Sequence, residues 1–81
     1  MKQKAYIVNW VDSASHEGWT HTHDLENVGV CDNQTIGFYV REDNRSITLA
    51  LNRALLADYA PYGGFISIPK SCISKKRLVK L

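Results

Sequence analysis

Apolar and β-branched positions fall in short runs of period two, separated by polar stretches, and this pattern predicts a β-rich chain. The run from Ala5 to Val11 reads as a first strand, with Tyr6, Val8 and Trp10 on one face and Ile7, Asn9 and Val11 on the other. From Asp12 to Gln34 the alternation gives way to a polar, acidic, histidine-bearing stretch that holds Gly18 and Gly29. Inside it, residues 16–20 around Trp19 suit a short strand and residues 24–26 a helical turn. A connection of this length is more often a functional loop or a folded-over hairpin than an inert link.

Thr35 to Val40 reads as the next strand, Glu42 to Arg45 as a turn, and Ser46 to Leu51 as the returning strand of an antiparallel hairpin. Leu51, Ala54 and Leu55 also stand at helical spacing, so a helix competes over residues 49–59. The strand is held to about residue 51, with a helical turn after it. Pro61 to Gly64 carries a turn signal, Phe65 to Ile68 is a short strand stopped by Pro69, and Lys70 and Ser71 form a tight turn. Residues 73–81 supply a last, basic strand. There is no internal repeat, low-complexity tract or linker.

The five strands, the long first loop and the ending Ile68, Pro69 and Ile73 together resemble an SH3-like or Sm-like small barrel. In such barrels a proline-led 3₁₀ turn commonly separates the last two strands. The resemblance implies a mostly β, five-stranded antiparallel barrel. A second resemblance, to short proteins carried by phages and prophages, rests on Trp10 to Ser13, Gly18-Trp19, Ile36 to Phe38, Ile47 to Ala50 and Ile68-Pro69. Many of those are accessory or counter-defence proteins that act by binding. The resemblance carries over no site residue.

With 81 residues the chain suits one domain spanning residues 1–81. Its 44% hydrophobic and 22% charged content excludes wholesale disorder. Cys31 and Cys72 lack any paired spacing and read as buried or half-buried thiols in a reducing compartment, with a single disulfide as the alternative for an exported chain. The N-terminal apolar run is short and interrupted by Asn9, and no stretch is long enough to span a bilayer. The expectation is a cytoplasmic protein without a membrane partner.

The net charge of +2 conceals a separation that changes this picture. No Lys or Arg stands between Lys4 and Arg41, where Asp12, Glu17, Asp24, Glu26 and Asp32 fall. The last twelve residues hold Lys70, Lys75, Lys76, Arg77 and Lys80 and no acid. Such a division suits a homo-oligomer joined through opposite faces, a basic edge meeting an anion, or mutual neutralisation within one monomer.

Candidate chemistry is sparse. His21 and His23 would point the same way on a strand and Asp24 joins them from a turn, which makes these three candidate metal ligands. No HExxH, paired CxxC or second distant histidine completes a site, so solvated histidines are the preferred reading, and neither metal nor cofactor is expected. Cys31 near the histidines, and Ser13 and Ser15 beside His16, give no fixed nucleophile–base geometry. With no G-x-S-x-G and no phosphate-binding glycine loop, an enzyme is not expected.

Trp10, Phe38 and Phe65 are expected in the core. Trp19, Tyr59 and Tyr62 lie in or beside loops and are candidate anchors for a protein partner. Arg45 and Arg53, flanking the central hairpin with Arg41, are candidate anion ligands. Aromatic stacking, worth about 1–3 kcal/mol per base, would suit a nucleotide. The acidic segment would repel a long nucleic acid and leaves room for a small signalling nucleotide in a local pocket. The sequence thus predicts a non-catalytic module for a protein partner, with a small anionic ligand as the alternative and metal-dependent chemistry at the histidines third.

Overall fold

The computed structural model describes residues 3–13, 29–55 and 61–81. They form five strands, β1 (Ala5–Asp12), β2 (Cys31–Glu42), β3 (Ser46–Arg53), β4 (Tyr62–Pro69) and β5 (Ile73–Val79), with a 3₁₀ turn at Lys70–Cys72 before β5. All pairings are antiparallel, in one sheet of order β4-β3-β2-β1-β5. The mostly β expectation holds, and so does the 3₁₀ turn after Pro69. The expected strand around Trp19, the turn at residues 24–26 and the helical competitor beyond residue 55 lie outside the described residues.

The inner face is assembled from alternating positions of every strand. Val8, Ile47, Leu49 and Ile68 are fully buried, with Tyr6, Trp10, Tyr39, Ile66 and Ile73 packed against them. Each such aliphatic side chain contributes roughly 1.5–3 kcal/mol by leaving water. Tyr6, Val8 and Trp10 share one face of β1 as expected, and that face is the inner one. Trp10 keeps its polar edge satisfied, as its Nε1 donates to Thr35 Oγ1 at 2.9 Å.

Four expectations are corrected. First, β2 begins at Cys31 and not at Thr35, because its polar start is held by β1: Asn9 pairs with Gln34, whose Nε2 donates to Asn9 Oδ1 at 3.0 Å. Second, residues 61–64 do not reverse the chain. Tyr62 and Gly63 pair with Arg53 and Asn52, which also carries β3 past residue 51 to Arg53. The hairpin is closed by Ala54 N–H donating to Pro61 O at 2.7 Å. Gly64 takes φ 71°, a conformation that suits glycine, and a side chain there would press on Leu51.

Third, Phe65 is not core and is 61% exposed. Ile66 and Ile68 take the inner positions of β4, so parity turns Phe65 outward with Ser67. The register sets Ala50 between Phe38 and Phe65 on that outer face, and Ala50 is buried there. Fourth, Cys31 is exposed at the start of β2, and Cys72 alone is half-buried.

Two bulges bend the sheet. Val40 is the extra residue where β2 shifts register against β3, and Ser74 is the extra residue where β5 shifts against β1. Ser74 Oγ donates to Asn9 O at 3.1 Å.

The β2–β3 turn is an Asx turn, with Asp43 Oδ1 accepting from Arg45 N–H at 2.8 Å and Ser46 N–H at 2.9 Å. Those N–H groups hold the Asp43 carboxyl below its ordinary range. Two bonds tie this turn to the 3₁₀ turn. Lys70 N–H donates to Arg45 O at 2.7 Å, and Lys70 Nζ meets Glu42 Oε2 at 2.7 Å. The Lys70 ammonium accordingly lowers the Glu42 pKa.

A carboxylate whose folded pKa is lowered adds stability that is present above its unfolded value, about 4.3, and lost as pH falls through the folded value. Lys70→Met is therefore expected to flatten the fall of Tm with acid. Half-exposed pairs of this kind are worth at most about 1 kcal/mol. The Asp43 contribution should persist in the variant, because its backbone donors remain. Thermal unfolding across the acid range checks this, and unchanged slopes in the two proteins would rule out the Glu42–Lys70 linkage.

Candidate functional site

Where the chain enters β1 and leaves β3 and β5, three elements remote in sequence frame a cleft of about 630 Å³. Its lining is Gln3 and Lys4 from the start of the chain, Arg53 from the end of β3, and Leu78, Val79, Lys80 and Leu81 from the end of β5. One wall is aliphatic, and Leu78 and Leu81 are exposed at 52% and 71%. The other groups are an ammonium at Lys4, a guanidinium at Arg53, a second ammonium at Lys80 and the Gln3 amide. Among the described residues no carboxylate side chain lines it, and none of the three cations is in an ion pair.

The Gln3 amide fixes this end of the sheet. Its Nε2 donates to Lys4 O at 2.8 Å and to Tyr39 O at 2.9 Å, while its Oε1 accepts from Tyr62 Oη at 2.6 Å. One side chain thereby joins the entry to β1, the middle of β2 and the start of β4. Beside it, Lys4 Nζ lies 5.6 Å from the centroid of the Tyr39 ring, and Tyr39 meets Tyr6 edge-on at 5.9 Å. Lys76 Nζ covers Tyr6 at 5.0 Å. The tyrosine faces already carry cations, and cation–π contacts of this exposed kind are worth about 0.5–1 kcal/mol.

The structure brings together two of the sequence-predicted site residues. Arg53 and Tyr62 are cross-strand partners at the cleft end. Arg53 lines the cleft, whereas the Tyr62 hydroxyl is committed to Gln3 and serves as a strut. Arg45 is separated from them by the length of β3, roughly 25 Å at the usual rise per residue. It therefore belongs to the β2–β3 turn and not to this site. Trp19, Tyr59, His21, His23 and Asp24 lie outside the described residues. Among the described residues no group of three or more metal-ligating side chains comes together. No helix among them is long and apolar enough to cross a membrane.

No family model, curated protein or solved structure matches this chain. The site must be read from its own chemistry. A ligand filling the cleft would set an apolar body on Leu78, Val79 and Leu81 and anionic groups on Lys4, Arg53 and Lys80. Sequence reasoning missed Gln3, Lys4, Leu78, Val79 and Leu81 as site residues. The basic C-terminal run with leucine and valine between its charges was the available signal.

Proposed function

We propose that the chain is a non-catalytic binding module that takes hold of a protein partner through the end cleft, by a segment carrying both apolar side chains and carboxylates. The observation that carries this reading is the convergence of Lys4, Arg53 and Lys80 on an aliphatic wall, with no carboxylate side chain in the lining among the described residues. An exposed leucine pair framed by cations is a docking surface for an amphipathic acidic segment, whose charges would steer approach. The antiparallel order and the 3₁₀ turn between β4 and β5 support a small SH3-like or Sm-like barrel as the scaffold. The resemblance to phage-borne proteins makes a host factor the natural partner.

The test is crosslinked capture with Arg53→Glu and Lys4→Glu as paired controls. A partner retained by the parent protein and lost from both variants, at unchanged Tm, is the expected result. Equal retention by all three proteins would remove the cleft from the interaction.

A small anion is the second reading, favoured by the same three cations. It predicts a rise in Tm with a nucleotide panel, equivalent to about 2.7 kcal/mol at a hundredfold excess over Kd. The rise should be absent in Arg53→Glu. A millimolar panel without any shift would leave the protein partner as the reading of this cleft.

A further inference from the structure

Among the described residues β5 ends the sheet and pairs only with β1, and Ser74 to Leu78 are all exposed, so it presents an edge. The edge has a charge pattern. Lys75 and Arg77 stand opposite Asn9 and Ile7 on the outer face, and Lys76 and Leu78 stand opposite Val8 and Tyr6 on the inner one. Lys75 and Arg77 line a small outer groove with Ile7, Asn9 and Gln34, none of them acidic. Lys76 differs, because its ammonium sits over Tyr6.

Edge lysines ordinarily discourage strand pairing. Here they discourage one kind in particular. An antiparallel β5–β5 pair between two copies would bring Lys75 and Arg77 of one chain against the same charges of the other, and like charges directly opposite are unfavourable. The same arrangement favours a strand that carries acids on one face.

We propose that the β5 edge accepts an extended acidic segment of a partner protein as a sixth strand. Added antiparallel, the segment reads as an apolar residue opposite Leu78, an acid opposite Arg77, any residue opposite Lys76 and an acid opposite Lys75. Backbone hydrogen bonds hold the strand, and the alternating side chains select it. This is a second surface, separate in its charges from the Lys4 and Arg53 cleft.

A fluorescein-labelled peptide of repeating leucine-glutamate-threonine-glutamate is the probe, read by fluorescence anisotropy. Binding is expected to weaken about tenfold or more in the double variant Lys75→Glu, Arg77→Glu, since each reversal replaces an attractive cross-strand pair by a repulsive one. Both residues are exposed, and an unchanged circular dichroism melt confirms the fold of the variant. Arg53→Glu should bind the peptide as the parent does, so the edge and the cleft stand or fall separately. The same peptide N-methylated at every residue should not bind, because neither of its edges has an N–H to donate to the ladder. Equal binding of the methylated peptide, an unaffected double variant, or no binding at millimolar peptide would overturn the proposal. So would self-association that the double variant abolishes, which would assign the edge to a second copy.

Discussion

Leu49→Ala is expected to lower stability by about 2–5 kcal/mol, the usual cost of emptying a leucine site in a core that relaxes only partly. A chain of this size has roughly 4–12 kcal/mol in all, at about 0.05–0.15 kcal/mol per residue. One truncation therefore removes a large share. Leu49 is fully buried on β3, paired with Tyr39 of β2 on one side and Ile66 of β4 on the other, so its cavity opens where three strands meet. Tm should fall by about 4–8 °C for each kcal/mol lost. The informative companion is Phe65→Ala. Sequence reasoning expects Phe65 in the core, but it is largely exposed on the outer face, and its replacement should stay within about 0.5 kcal/mol. Urea unfolding of the two variants checks the pair. Equal losses would mean that Phe65 is covered in solution and that the outer face of β4 is not free.

What was legible in the sequence was what local chemistry fixes. The division of β1 into two faces follows from period two. The β2–β3 turn follows from Asp43, whose carboxylate caps the two N–H groups that follow it. The 3₁₀ turn follows from Pro69, which ends β4 with no N–H to donate. What was not legible depends on partners far along the chain. Cys31 to Gln34 is too polar to announce a strand, and only the facing residues Asn9 to Asp12 make it one. Tyr62 and Gly63 signal a turn by composition and are drawn into β4 by Arg53 and Asn52. Phe65 has the composition of a core residue, and only the β3–β4 register reveals that it faces outward.

The cleft was hidden for the same reason in stronger form. It is built from the two ends of the described chain and the end of β3, and no window of sequence contains more than one of its walls. Arg53 alone was singled out beforehand, on its charge and its place beside the hairpin. Gln3 carries no signal of its own, yet its amide makes three hydrogen bonds that set the geometry of the site. Arg45, chosen by the same reasoning as Arg53, is placed by the strand direction at the opposite end of β3. Strand topology therefore separates two residues that the sequence groups together.

The last expectation concerns the close approach of β2 to β3 at Gly37. Gly37 lies on β2 opposite Tyr6, and a Cβ there would come within 2.9 Å of Ala50 O and 3.0 Å of Leu49 Cβ. Its φ is not positive, so alanine fits the local backbone, and the obstacle is space alone. The nearest atom is a main-chain oxygen of β3, which cannot swing aside as a flexible side chain would. Gly37→Ala should therefore cost about 1–3 kcal/mol, as overpacking does. That exceeds the roughly 0.4–1 kcal/mol that reduced freedom of the unfolded chain would return. Gly63→Ala is the control with the opposite sign. No atom lies within 4 Å of its Cβ position and its φ is not positive, so it should be neutral or stabilising. The consequence reaches the site. If β2 and β3 are pried apart at Gly37, Tyr39 O moves from Gln3 Nε2, and the strut that holds Lys4 beside the cleft loosens. Gly37→Ala should then weaken ligand capture at temperatures where the protein is still folded, while Gly63→Ala leaves it intact. If Gly37→Ala and Gly63→Ala melt alike, the close approach of β2 to β3 does not exist in solution, and the cleft has to be explained without it.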